Sequence, residues 1–555
     1  MNDKARASDQ PGAGISHVPP ERRLTGVGRV GALALHPFLF VAASVFSLYA
    51  SNLREVSISD VTAALAAGLG AALILFLGLG VAFRTFGAKA AILASVALVV
   101  GLFYADIVTS ANRLVGANLS SAAALPIALA ILAVSIVVVA RLRVDFTLAN
   151  AVLNGIAFAL FITPAWQVAS HEWRTGGSSP FTAEGLDEER SELDERSLLV
   201  DPATLKTAPD IYYFIFDRYG SQSTLAKHYG FDNSDLVDFL KAKGFYVASD
   251  SHSNYLKTAH SLASTFHMDY LDFLAEDMGN RAADWHPIYE MLEDHRVARI
   301  LKSIGYKFIQ IGAWWAPTQH NPYADENYSF GYSEFDYRYL RGTIIPTLLD
   351  AVAPASTYAR RLRWDNGQCQ RVPRQIDKVK EIGERSEATF VFTHVLLPHD
   401  PYVFGPEGRC LSFEEALERG ARRNYVEQVR YANSLIKDFV SALLAKSGTK
   451  PIIIIQADEG PFPERYPSSR SLSWRDATAD ELRIKTGILN AYYFPDGDYR
   501  DLYQSITPVN TFRILFNKYF RTKFDHLPDR IYAFPDIFKI YEFFDVTDIV
   551  RRGPH

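Results

Sequence analysis

The sequence predicts two parts in series: an N-terminal α-helical membrane domain of five transmembrane helices, then an α/β domain with a mostly parallel central sheet. Three observations carry this. Charge is split, with 10 charged residues in 31–170 and 109 in the other 415. Five stretches free of Asp, Glu, Lys and Arg follow one another in that first segment. Beyond residue 208, short continuous apolar runs alternate with segments of helical period, the pattern of a sheet covered on both faces. The whole-chain figures hide the split: 555 residues, net charge −5, mean hydropathy −0.02. Near-neutral charge argues against a nucleic-acid partner. Two cysteines exclude a disulfide-rich scaffold and a four-Cys zinc site.

The chain opens with a tail, 1–29. The membrane domain, 30–170, holds the stretches 30–53, 61–83, 90–105, 114–140 and 146–170. A bilayer core needs about 20 apolar residues. Four stretches reach that length, and 90–105 reaches it if it runs past Asp106 to Val108 while flanking charges snorkel. Asp106 reads as a solvated helix end. Lys4, Arg6, Arg22, Arg23, Arg29, Arg84, Lys89, Arg141 and Arg143 lie on one side of the membrane, and only Arg54 and Arg113 on the other. That bias sets a cytoplasmic N-terminus. Five crossings put everything after residue 170 on the far side, the periplasm or exterior if the membrane is a bacterial inner membrane. Residues 171–207 form a linker, with a charged run at 184–196.

The exported domain, 208–555, has strand candidates at 211–216, 246–248, 308–311, 389–393, 452–456 and 488–494. Helical patterns occupy 233–243, 288–303 and 424–446. The aromatic tail, with Tyr532, Phe534, Phe538, Tyr541, Phe543 and Phe544, reads as core, with a seat on the membrane surface as the alternative. Ligands in such sheets bind beyond the carboxyl ends of strands. Asp217 follows the first strand. His394 and the run Pro398-His399-Asp400-Pro401-Tyr402 follow the fourth. Asp458-Glu459 follows the fifth. Together they resemble an oxygen-rich metal site. The segment 253–264 runs from a loop into a helix, whose N-terminus favours an anion. Thr258, Ser261 and Ser264 compete there as nucleophile, and each also suits a helix cap.

The ordered set Asp217, Thr258, His399 in PHDPY, and Asp458-Glu459 resembles the alkaline phosphatase superfamily, and most of all its sulfatase-like branch. The resemblance covers about 208–530. The five-helix anchor is similar to that of lipoteichoic acid synthases and phosphoethanolamine transferases. It implies roles. Asp217 and Asp458 are the carboxylate ligands of a metal. Thr258 is the nucleophile and a ligand. His399, in a His-x-Pro-aromatic element, meets substrate or the leaving group. Glu459 stands where the family usually has His, so the expected metal set is Asp217, Thr258, Asp458 and Glu459. That set favours one divalent Mn, Mg or Ca ion over Zn. Lys257, His260 and His394 are expected to hold substrate oxygens.

Sulfatases form formylglycine from Cys in a Cys-x-Pro-x-Arg setting. Here the place reads Thr258-Ala259-His260-Ser261-Leu262, so no formylglycine is expected. The implied activity is phosphoryl or substituted-phosphoryl transfer, or phosphodiester hydrolysis, on a phosphodiester or lipid-linked envelope substrate beside membrane lipid. The alternatives are a sulfuric ester hydrolase and a catalytically inactive sulfatase-like binding domain. On the oxidising side of the membrane, Cys369 and Cys410 are expected to pair, with two buried thiols as the alternative.

Overall fold

The computed structural model describes residues 33–175, 208–278, 282–383, 385, 387–445, 450–466 and 472–552. The tail 1–29 and nearly all of the linker, with its charged run, lie outside the described residues. The N-terminal region is helical throughout: α1 His36–Ala50, α2 Ile58–Ala82, α3 Ala88–Leu102, α4 Tyr104–Val115, α5 Ser121–Arg141 and α6 Thr147–Thr175.

Among the described residues, α2, α5 and α6 are long and apolar enough to cross a membrane. Helices α3 and α4 meet at a 73° bend and make a fourth candidate only if taken as one span. Helix α1 has 15 residues, about 22 Å at 1.5 Å per residue, short of a core of about 30 Å. Length alone therefore supports three or four spans where the apolar stretches predict five. The fourth stretch breaks for local reasons. Gly116 takes a left-handed φ of 63° and closes α4. The Ser120 hydroxyl then accepts from the Ala123 amide and opens α5. Polar residues of α4, Asp106 among them, give it a wet face that a buried span would not carry.

The α/β domain is built on a seven-stranded sheet among the described residues. Its strands are β1 Ile211–Phe216, β2 Tyr246–Val247, β3 Lys307–Ile311, β4 Glu326–Tyr328, β5 Thr389–Val395, β6 Ile452–Gln456 and β7 Asn490–Tyr493. Their order is β2-β7-β6-β1-β5-β3-β4. Pairs β6/β1, β1/β5, β5/β3 and β3/β4 are parallel, and β7 runs antiparallel on β6. All six predicted strands form. The polar ENY of β4 gave no signal. Strands β1, β5 and β6 are buried along their whole length, because aromatic-rich clusters cover both faces. The predicted helix 288–303 is two helices, His286–Glu293 and Arg296–Ser303, with the His295 side chain capping the second. In the tail, Tyr532, Phe534 and Tyr541 are core, whereas Phe538 is exposed.

The helical region and the α/β domain touch through backbone and side chains. The Trp285 amide donates to the Arg54 carbonyl, 3.0 Å. His286 turns Nδ1 to Asp284 Oδ1, 2.8 Å, and Nε2 to the Val56 carbonyl, 3.1 Å. Both partners are acceptors, so both contacts are hydrogen bonds only for the imidazolium. Burial lowers the His286 pKa, but Asp284 and Val56 outweigh it and the net shift is upward. A His whose folded pKa is raised stabilises the fold below its unfolded pKa, and that stabilisation is lost as pH rises through the folded pKa. Exchange of the Trp285 amide, corrected for intrinsic rate, is therefore expected to accelerate on going from mildly acidic to alkaline pH. The His286→Gln protein should lack this dependence; equal profiles for the two proteins would sink the idea.

Candidate metal centre and active site

Strands β6, β1 and β5 are neighbours, so residues at their carboxyl ends converge. Ile215 is level with both His394 and Gln456, and Asp217 and Asp458 each stand two residues beyond that level. Asp217, His394 and Asp458, all buried, bring one ligand atom each within 4.8 Å of one another. His394 Nε2 lies 3.4 Å from Asp217 Oδ2.

The electrostatics of this cluster call for a cation. Asp217 Oδ1, Asp458 Oδ2, His394 Nε2 and Glu459 Oε2 are buried atoms without a hydrogen-bond partner. Leaving such groups unmet costs roughly 1–3 kcal/mol each, more when charged. Burial alone would raise the Asp217 carboxyl, but His399, His394 and Arg218 outweigh it and hold it well below the usual carboxylate range. Asp458 goes the other way: burial, then Asp217 and Glu459, push it well above that range. Two carboxylates this close cannot both ionise easily without a cation between them. The donor set, two carboxylates and an imidazole, fits a divalent ion.

Thr258 begins the helix Thr258–His267, is half-buried, and its side chain lies close enough to Asp458 to oppose the upward shift of that carboxyl. The competing hydroxyls are spent elsewhere: Ser261 donates to the Tyr255 carbonyl, 3.1 Å, and Ser264 to the Asp269 carbonyl, 2.7 Å. His260 is not at the site. Two residues past Thr258 on a helix is about 200° around the axis, and there His260 is fully buried against Trp285, Phe534 and Phe543, with Nε2 on the Ile540 carbonyl. This differs from the expected substrate contact. His394 also differs from its expected role, because it faces the two aspartates. Its Nδ1 meets the Thr318 hydroxyl, 2.8 Å, and its backbone carbonyl accepts from Gln375 Nε2, 2.8 Å. That second layer fixes the ring and leaves Nε2 for a ligand.

Glu459 directly follows Asp458, and one of its two carboxylate oxygens is engaged elsewhere. Its Oε1 lies 2.7 Å from Lys485 Nζ and 3.0 Å from Arg218 Nε. Arg218 also donates to Asp400, 2.5 Å. The non-glycine residue Arg218 takes φ +61°, a left-handed conformation that favours glycine. In it the Arg218 amide donates to Asp458 Oδ1, 3.1 Å, while the guanidinium reaches Glu459. Three cations then surround the ring of Phe462: Arg218 at 4.5 Å, Lys257 at 4.6 Å and Lys485 at 3.7 Å. Burial lowers the Lys485 ammonium against the pull of Glu459. Of these, only Lys257 was singled out from the sequence. Arg218 was open to notice, as the charged residue directly after Asp217. Lys485 and Phe462 leave no local signal.

His399 is half-buried on the loop after β5, beside Asp400, and Gln428 Nε2 donates to the carbonyls of Pro398, 3.2 Å, and His399, 3.0 Å. The loop is closed by a Cys369–Cys410 disulfide, with 5.9 Å between Cα atoms. Replacing both cysteines by serine is expected to cost about 2–4 kcal/mol of stability and to lower turnover by loosening His399. Thermal unfolding checks the first part, and an unchanged melting temperature would remove the disulfide from this account.

Comparison with known proteins gives one family and several similar folds. The family model described as "Sulfatase" matches residues 209–523. No curated protein matches. Similar solved structures include the C-terminal periplasmic domain of EcEptC from Escherichia coli in complex with Zn, at 11% identity and TM-score 0.39, covering 63% of this chain and 95% of that one. The corresponding domain of the phosphoethanolamine transferase EptC from Campylobacter jejuni is 14% identical, TM-score 0.36, covering 57% and 90%. The phosphonate monoester hydrolase of Agrobacterium radiobacter is 10% identical, TM-score 0.37, covering 59% and 80%. With the family model spanning more than half of its length, and an aspartate–histidine–aspartate cluster at the strand ends, the chain belongs to the Sulfatase family.

Proposed function

We propose that the protein is a membrane-anchored, metal-dependent phosphoryl or substituted-phosphoryl transferase or phosphodiesterase, acting on cell-envelope substrates through Thr258. The observation that carries this is a half-buried hydroxyl at a helix N-terminus, Thr258, beside the Asp217–His394–Asp458 cluster, with three cations grouped next to it. Asp217, Asp458 and His394 would hold one divalent ion together with Thr258. The bound ion supplies charge neutralisation and a lower hydroxyl pKa.

The chain's own residues do the rest. Asp458 orients the Thr258 oxygen. Arg218, Lys257 and Lys485 hold the non-bridging oxygens of a phosphodiester. The Thr258 hydroxyl gives up its proton to solvent water and its oxygen attacks phosphorus in line, the P–O bond to the leaving alkoxide breaks, and His399 delivers a proton to that alkoxide. Water or an acceptor hydroxyl then attacks the phosphothreonine and restores Thr258. A sulfate ester is the weaker substrate class, because threonine replaces the formylglycine precursor.

Five crossings remain our reading of the anchor. Helix α1 packs along α6, and its apolar stretch begins upstream at Val30. An odd number of crossings with nine basic residues against two supports an α/β domain outside the cytoplasm, where a disulfide persists. The outward faces of α2, α5 and α6 are apolar, with Ile74, Val134 and Trp166 well exposed, as lipid contact requires.

The test is an adduct. Full-length His399→Ala protein, incubated with a chromogenic phosphodiester, should gain on Thr258 the mass of the substituted phosphoryl group that remains once the chromophore has left. A mass unchanged in both this variant and wild type, with full activity retained by Thr258→Ala, would remove Thr258 from the mechanism.

A further inference from the structure

Between β4 and the helix Gln368–Ile382 the domain carries an insert with three helices, Glu334–Gly342, Ile345–Val352 and Thr357–Arg361. The second reads IPTLLDAV and none of its residues is buried. Ile345, Leu348, Leu349 and Val352 stand at i, i+3, i+4 and i+7, one apolar stripe. A stripe on a short helix of a folded domain normally faces a core. Here Val352 is 80% exposed, and Tyr358, just beyond, is 62% exposed.

The insert is continuous with the apolar helices. The Ile344 amide donates to the Gly101 carbonyl of α3, 2.8 Å. Helix Ile345–Val352 packs beside α5, and Glu334–Gly342 packs beside α2 and α4. Tyr339 meets Ser44 of α1, 3.1 Å. The stripe therefore lies at the edge of the region whose outer surface is apolar. Arg338 and Arg341 precede it, and Arg360, Arg361 and Arg363 follow it. Basic residues flanking an apolar stripe, with an exposed tyrosine, match the interface of an anionic bilayer.

The geometry points to a membrane-inserting segment within the α/β domain: residues 344–358 lie in the interfacial layer of an anionic bilayer, with Ile345, Leu349 and Val352 among the acyl chains and the arginines at the headgroups. The same insert borders the active site, because the Tyr332 carbonyl just before it accepts from Gln319 Nε2, 3.0 Å, and Gln319 directly follows Thr318, whose hydroxyl meets His394. The bilayer thus fixes the depth at which the site works. This rests on the reading of the chain as membrane-anchored.

The experiment separates the two. Single cysteines are introduced into the full-length chain at Ile345, Val352, Asp350 and, on α5, Val134, and spin-labelled with the Cys369–Cys410 disulfide intact. The protein is placed in nanodiscs containing phosphatidylglycerol. Relaxation by oxygen is then compared with relaxation by a water-soluble nickel chelate. Labels at 345 and 352 are expected to favour oxygen several-fold, and the label at 350 to favour the chelate. An aqueous signature at 345 and 352 with a lipid signature at 134 overturns the insertion and leaves the anchor standing. An aqueous signature at all positions overturns both. Occlusion from both agents at 345 and 352 means a protein contact, and also overturns the proposal.

Discussion

Asp458→Asn is expected to lose the metal and turnover, and at the same time to raise the melting temperature of the metal-free protein. The two effects share one cause. Without a cation, Asp217 has His399, His394 and Arg218 to hold its charge. Asp458 has only the Thr258 hydroxyl and the Arg218 amide, and Asp217 and Glu459 repel it. An amide at 458 keeps the bond from Arg218 and drops the repulsion. Relieving a poorly met buried polar group is worth roughly 1–3 kcal/mol, and in a domain of this class each kcal/mol moves the transition by about 2–4 °C. Such a trade of stability for function is what a metal site assembled from like charges requires. Thr258→Ala supplies the contrast. It keeps the carboxylates and His394, so metal content should hold while turnover falls by on the order of 10⁴–10⁶, as for a lost nucleophile. Metal analysis and melting curves of chelator-treated wild type, Asp458→Asn and Thr258→Ala decide it. A metal-free Asp458→Asn protein that melts below wild type would show that the carboxylate is structurally needed there.

The frame of this site was legible because it depends on local rules. Continuous apolar runs such as IYYFIF and IIIIQ form parallel strands buried on both faces, and the residues just past the carboxyl ends of such strands line the binding edge. Asp217, His394 and Asp458 are found that way. Thr258 stands out once Ser261 and Ser264 are seen donating to backbone carbonyls. Side-chain direction was not legible. His260 is next but one to Thr258 and points into an aromatic core. Membrane spans were legible as composition but not as geometry: the stretch 90–105 bends after Leu102, and α1 stops at 15 residues. Long-range ion pairs were the least legible part. Nothing near Lys485 in the sequence says that its helix delivers an ammonium to Glu459.

That pairing changes what Glu459 is for, and it yields the second large effect. As a metal ligand, Glu459 should be needed for the ion. As the shared anchor of Lys485 and Arg218, it should be needed for substrate. Glu459→Gln is therefore expected to retain metal, to raise KM for a phosphodiester by one to two orders of magnitude as Arg218 and Lys485 lose their anchor, and to destabilise the fold by about 3–5 kcal/mol, the usual consequence of breaking a buried ion pair from one side. Lys485→Met should destabilise for the same reason, since it strands the buried carboxylate. The double variant strands neither charge. Its loss of stability should fall short of the sum of the two single losses by about 0.5–3 kcal/mol, the range for residues in direct contact. Metal loss on Glu459→Gln, with strict additivity in the double variant, would return Glu459 to the ligand shell and leave Lys485 a bystander. Arg218 and Glu459 each directly follow a clustered aspartate, so the ion pair between them ties the two strand ends together beside the aspartate–histidine–aspartate cluster.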